Sequence, residues 1–185
     1  MAKYDSDTRL SKFISLVLRH KPEAAGITLD RYGWAEVDAL LSGCNAAGKP
    51  IDMETLERIV RTDEKGRYSF SDDHTRIRAN QGHSIPIDLG LTPQIPPAEL
   101  YHGTATGFLN AIRAEGIRKG RRQYVHISSD VETAVKVGRR HGKPAVLVLD
   151  TGRMAEDGVV FYLSENKVWL TDYVDWKYVK DVIYP

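Results

Sequence analysis

The chain has 185 residues, of which 42% are hydrophobic and 28% charged, and its formal net charge is +1. This is enough apolar material for one large domain or two small ones, and the single cysteine, Cys44, excludes an internal disulfide and any multi-cysteine zinc site. No apolar run approaches the roughly 20 residues of a membrane span, and the N-terminal Met-Ala-Lys-Tyr-Asp-Ser-Asp lacks a secretory hydrophobic region, so a soluble protein of a reducing, cytoplasmic compartment is expected.

In chain order, Leu10, Phe13, Ile14, Val17 and Leu18 repeat at helical spacing. They predict an amphipathic helix capped by Ser6 or Asp7 and ended near Arg19-His20 by Pro22. The turn Arg31-Tyr32-Gly33 leads to Trp34 and a predicted short helix over 35–41, followed by a loop over 43–50. Asp52 caps a third predicted helix with Met53, Leu56, Ile59 and Val60 on its inner face. Segments 67–70 and 76–79 flank the turn Ser71-Asp72-Asp73-His74, a hairpin signal. Helices followed by a small hairpin suit a winged-helix module, which binds nucleic acid in some proteins and protein in others. Trp34 and Trp169 are read as core.

Four of the eight prolines fall in residues 85–97, which predicts an extended linker between a lobe over 1–84 and a second over 98–185. Past the linker, strands are predicted at 100–102, 125–127, 145–150, 159–163, 168–170 and 179–184, with helices over 108–115, stopped by Gly116, and 131–141, stopped by Gly142. The density of strands late in the chain argues for an α+β fold over a doubly wound parallel sheet. Residues 113–143 carry nine Lys/Arg against three acids. Such a focus of charge on a nearly neutral chain suits a polyphosphate or nucleic-acid ligand, or a solvated helix face.

Several chemistries have no motif here. There is no phosphate-binding G-x-x-x-x-G-K-[ST], no G-x-G-x-x-G, no H-E-x-x-H and no G-x-S-x-G. His102-Gly103-Thr104 does follow a predicted strand: glycine lets a flat ring approach the backbone closely, and the histidine and threonine supply donors for ribose hydroxyls.

Leu18-Arg19-His20-Lys21-Pro22, Asn80-Gln81-Gly82-His83-Ser84, Tyr101-His102-Gly103-Thr104 and Arg121-Arg122-Gln123-Tyr124-Val125-His126-Ile127-Ser128 occur in that order. Together they resemble the RNA 2′-phosphotransferases, NAD-dependent enzymes that remove an internal 2′-phosphate from spliced RNA. The resemblance implies a winged-helix RNA-binding lobe followed by an ADP-ribosyltransferase-like mixed α/β lobe with a strand-rich C-terminus. It implies that Arg19, His20, Arg67 and Arg122 surround the 2′-phosphate in a cleft between lobes. It assigns His102, Gly103, Thr104, Ser128 and Asp130 to NAD, and Arg78, Asn80, Gln81 and His83 to RNA. The acidic Glu-x-Glu or Gln-x-Glu site of protein ADP-ribosyltransferases is absent. A phosphate nucleophile is already charged and needs positioning by arginine rather than a general base.

The implied reaction has two steps. The RNA 2′-phosphate displaces nicotinamide from NAD, giving 2′-phospho-ADP-ribosylated RNA. A ribose hydroxyl then attacks that phosphate, releasing 2′-OH RNA and ADP-ribose 1″,2″-cyclic phosphate. NAD is a co-substrate, no metal is required, and the expected protein is a monomer acting on tRNA-like RNA. The alternatives are an ADP-ribosyltransferase that stops on a nucleic-acid phosphate, and a non-enzymatic winged-helix nucleic-acid-binding protein.

Overall fold

The computed structural model describes the backbone from residue 2 to 185 and side chains from Ser6 onward. The chain divides into two compact units, the first ending at Gly90 and the second beginning at Leu91.

The first unit opens with helix α1 (Ala2–Arg19), at whose end the His20 and Lys21 amides both donate to the Leu16 carbonyl at 2.9 Å. Pro22 then starts a short 3-10 turn, as its fixed φ and missing donor require. The expected cap is corrected: Ser6 and Asp7 lie within the helix. The Asp7 carboxylate accepts two bonds from Arg58, at 2.9 and 3.1 Å, so a tertiary ion pair takes the group that local capping would have used.

The second expected helix is also displaced. Trp34–Glu36 form strand β1, and helix α2 runs Val37–Ala46, through the stretch expected as loop. Gly43 is a packing residue there, since a Cβ would strike the Ala25 carbonyl. Helix α3 (Met53–Arg61) is capped as expected, Asp52 accepting from the Thr55 amide at 2.9 Å. Strands β2 (Tyr68–Phe70) and β3 (Arg76–Ala79) form the predicted antiparallel hairpin, and β1 joins it to give the order β1-β3-β2. Ile14, Val17, Leu18, Leu40, Leu56, Ile59 and Ile77 fill the core between helices and sheet.

The second unit begins in the proline-rich stretch. Pro93–Gln94 form strand β4, paired with β9 (Phe161–Leu163) rather than left as spacer. Strand β5 (Glu99–Ala105) pairs along its length with β8 (Pro144–Asp150), and β12 (Val179–Ile183) completes that sheet in the order β12-β8-β5. A second sheet runs β4-β9-β10-β7, with β7 at Val125–Ile127 and β10 at Trp169–Thr171. The pair β6 (Ile117–Arg118) and β11 (Tyr173–Val174) stands apart.

Helix α4 (Leu109–Glu115) lies where expected. Helix α5 (Val131–Gly138) stops short of residue 141: the Arg140 and His141 amides close tighter turns on Val137 and Gly138, and Gly142 then turns the chain away at φ +136. Helix α6 (Thr151–Glu156), capped by Asp150, gave no periodic signal in so short a span. The core holds Leu100, Leu147, Leu149, Met154, Phe161 and Trp169. Helices and antiparallel sheets are segregated, which makes the fold α+β. Among the described residues no helix is long and apolar enough to cross a membrane.

Candidate active site

In the first unit, three of the predicted phosphate-binding residues converge on the loop that leaves β3. At its start the Asn80 amide donates to the Arg67 carbonyl at 2.9 Å, and the Asn80 side chain donates to Gly66 at 2.8 Å. At its end the Ser84 amide donates to the Arg19 carbonyl at 3.0 Å, and the Ser84 hydroxyl hydrogen-bonds His20 Nδ1 at 2.9 Å. Between them Gly82 adopts φ +90, which a side chain would strain, and a Cβ there would lie 3.7 Å from the Arg19 guanidinium. Tyr68, buried beside Arg67, ties β2 to α1: its hydroxyl donates to the Ser11 carbonyl at 2.6 Å and lies 2.5 Å from Ser15 Oγ. Arg67 is ion-paired with Asp63.

The expected RNA-contacting residues fare differently. His83 is 1% exposed, and neither ring nitrogen has a hydrogen-bond partner among the described residues. Burial, then the Arg19, His20 and Arg78 charges, push its pKa down to about 4, so at neutral pH it is an uncharged ring. Asn80 is likewise buried, bracing the Arg67 turn. Gln81 remains half-buried on the loop. Arg78 lies over the Trp34 ring at 4.6 Å, with Arg76 at 5.5 Å, so the half-buried Trp34 serves as a platform for arginines rather than as core. Trp169, 8% exposed, is core as expected.

In the second unit, His102-Gly103-Thr104 lies within strand β5, not after it. The two sheets meet at a bridge where Tyr101 and Ser128 exchange backbone bonds of 2.9 and 2.7 Å. His102 Nδ1 lies 3.0 Å from the His126 carbonyl. A carbonyl can only accept, so Nδ1 carries the proton and, in the neutral ring, Nε2 is an acceptor. Burial lowers the His102 pKa, and the Arg122 and His141 charges add to this against the opposing effect of the carbonyl bond. The ring is therefore neutral at neutral pH, and its Nε2 can accept a hydrogen bond, where the sequence suggested a donor.

Gly103 is not open to a ring on its side-chain face: a Cβ there would collide with the Ala134 carbonyl of α5. Thr104 is 6% exposed. Asp130 caps α5, accepting from the Thr133 amide at 2.7 Å and its hydroxyl at 2.9 Å. Arg122 Nη1 donates to His126 Nδ1 at 2.8 Å. Partial burial and the nearby Arg140 charge lower the Arg122 pKa, yet a guanidinium stays cationic at neutral pH.

Residues 5–173 match the family described as RNA 2'-phosphotransferase, Tpt1 / KptA family. The chain belongs to this family. It is 53% identical over 172 residues to a probable RNA 2'-phosphotransferase of Agrobacterium fabrum, covering 93% of this chain and 92% of the relative. It is 52% identical over 177 residues to one of Fusobacterium nucleatum, covering 95% and 99%. A third, from Escherichia coli O6:K15:H31, is 46% identical over 184 residues, covering 95% and 100%.

The RNA 2′-phosphotransferase family resemblance pointed to the cations but not to what holds them. Asp63 and Tyr68 carry no motif of their own, Ser84 and His20 lie in two separate motifs that nothing in the sequence joins, and the only sequence trace of Asp63 is an acid four residues before Arg67 with Gly66 between. The basic run over 113–143 is partly spent locally: Arg118 pairs with Glu115 at 3.1 Å, Lys119 with Asp172 at 2.9 Å and Lys136 with Glu132 at 2.7 Å. Among the described residues no group of three or more His, Cys, Asp or Glu is arranged to hold a metal ion.

Proposed function

We propose that this RNA 2′-phosphotransferase uses NAD as co-substrate to remove an internal 2′-phosphate from a tRNA-like RNA. The carrying observation is the 80–84 loop, which ties Arg19, His20 and Arg67 together in one unit. Two arginines and a histidine bonded to one short loop suit a phosphate dianion, because guanidinium donors match its oxygens. The neutral, acceptor-bearing His102 suits a ribose hydroxyl of NAD, and the Arg122 cation suits a phosphate. The three helices and three-stranded sheet of the first unit suit a winged-helix RNA-binding lobe, and the split sheets of the second an ADP-ribosyltransferase-like one.

In the first step an oxygen of the 2′-phosphate forms a bond to the anomeric carbon of the nicotinamide riboside as the bond to nicotinamide breaks. The nucleophile is already charged, so the work left to the protein is orientation, assigned to Arg19 and Arg122. In the second step the adjacent ribose hydroxyl attacks phosphorus and the bond to the RNA 2′-oxygen breaks. The hydroxyl proton must reach that oxygen. His20, fixed by Ser84, is assigned the transfer, and Arg67 the charge that builds on phosphorus. Removing one such donor costs roughly 10²–10³ in rate.

The test is an RNA oligonucleotide with one internal 2′-phosphate, incubated with and without NAD. The expected products, only with NAD, are 2′-OH RNA, nicotinamide and ADP-ribose 1″,2″-cyclic phosphate. Equal dephosphorylation without NAD overturns the proposal. Nicotinamide release that stops at ADP-ribosylated RNA would instead make the protein a one-step transferase.

A further inference from the structure

We infer that Asp63 is a positioning residue that sets the Arg67 guanidinium for the second step, an inference that rests on the function proposed above. Asp63 follows α3, and both of its carboxylate oxygens bond Arg67, Oδ1 also accepting from the Lys65 amide at 3.4 Å. Oδ1 pairs with Arg67 Nη1, and Oδ2 accepts from the Arg67 amide at 2.5 Å. Its backbone closes the same turn, accepting from the Gly66 amide at 2.8 Å. The exposures of the pair are unequal: the Asp63 side chain is 6% exposed and that of Arg67 30%.

A carboxylate so covered is held in place by its surroundings, while its partner keeps a surface flank. The buried acid is therefore the anchor and the arginine the working end. A guanidinium has five N–H donors in a rigid fork, so a bond at Nη1 fixes the plane of the fork while leaving donors for a phosphate. Asn80 supports the same turn through its bonds to Gly66 and the Arg67 carbonyl. Arg67 is thus gripped at its amide, its carbonyl and its guanidinium, the geometry needed of a group whose charge must already be in place when phosphorus is attacked. The ion pair also carries a cost, since Asp63 offsets part of the arginine's charge. Orientation must outweigh that loss for Asp63 to help.

The experiment is single-turnover reaction of Asp63→Asn with 2′-phosphorylated RNA and NAD. Asparagine keeps one acceptor for the Arg67 amide but cannot accept from the guanidinium as well. Loss of a charged hydrogen bond predicts a second step slower by roughly 10–100-fold and a first step slower by less than about threefold, so that ADP-ribosylated RNA accumulates. A merely destabilised protein would slow both steps alike, and circular dichroism at the assay temperature checks that the variant is folded. In the Arg67→Ala background, which should itself stall after the first step, Asp63→Asn should slow neither step further. A second step as fast as in the unsubstituted protein, or an equal loss in both steps, overturns the role of Asp63. So does a loss that multiplies with that of Arg67→Ala. If the unsubstituted protein shows no NAD-dependent turnover, the proposed function fails first and this role falls with it.

Discussion

Arg67 and His20 in the first unit are braced by side chains, whereas His102 in the second is braced by backbone. Asp63 holds Arg67, Ser84 holds His20, and the Tyr68 hydroxyl pins the hairpin to α1. By contrast His102 sits on a seven-residue strand paired from Glu99 to Ala105, and its ring is fixed by the His126 carbonyl. The difference follows from where the residues lie. A helix end and a loop have no continuous ladder to fix them, so polar side chains must supply the bracing. A strand paired with its neighbour along its whole length has its position set by that ladder, and what remains to be controlled is how closely other elements approach.

The largest expected effect tests the backbone-braced half. Gly103→Ala sets a methyl group against the Ala134 carbonyl, a backbone atom that cannot swing aside. Overpacking typically costs about 1–3 kcal/mol, and with no flexible neighbour to yield, the cost here should be at or above about 3 kcal/mol. Gly107→Ala, with nothing within 4 Å of the new atom, is the control and should be near neutral. Chemical denaturation of both variants decides it, and equal stabilities would show that α5 can withdraw from β5.

A comparable effect, spread over pH, tests the first unit. His83 has a folded pKa of about 4, below the ordinary 6.5, because burial and the neighbouring cations disfavour its charged form. Above pH 6.5 both folded and unfolded states are neutral and its stabilising contribution is complete. As pH falls toward 4 the unfolded chain binds a proton that the folded one refuses, so up to about 3 kcal/mol is lost in this window. Unfolding of the wild type and His83→Leu at pH 7 and pH 4 should show a smaller acid loss in the variant. Matching acid losses would mean that His83 is hydrated or paired in the folded protein.

The smallest effect sharpens the comparison. Ser84 is exposed, so Ser84→Ala should leave folding unchanged while freeing the His20 ring to rotate. Loss of one hydrogen bond of about 0.5–1.5 kcal/mol predicts a second step slower by roughly 3–10-fold. An unaltered rate of that step would show that Ser84 does not orient His20.

Most elements were legible because their signals are local. The α1 face, the Asp52 cap, the hairpin over 67–79 and the strands β5, β7 and β8 follow from periodicity and turn residues. The misplaced elements fail where distant residues intervene. Asp7 is claimed by Arg58 rather than by its own helix end. Glycine at 43 reads as a loop residue but admits Ala25, and Trp34–Glu36 become strand because β3 lies alongside. Of the candidate site residues, the motifs named Arg19, His20 and Arg122, while the burial of His83, which the resemblance assigns to RNA, came only with the fold. Asp130 was assigned to NAD and is engaged in capping α5.

By itself, the sequence determined the kinds of group available: cations for phosphate, a histidine on a strand, and no motif for metal or nucleotide loops. Residue type and local spacing are enough for that, because they fix charge, donor inventory and element period. Only tertiary structure decided which groups are neutral, which are anchored and which face inward. His83 and His102 are both histidines in motifs, yet one is buried with neither ring nitrogen hydrogen-bonded among the described residues and the other is held by a backbone carbonyl. Those properties depend on desolvation and on partners tens of residues away, such as Ser84 on His20 and His126 on His102, and no window along the chain contains them.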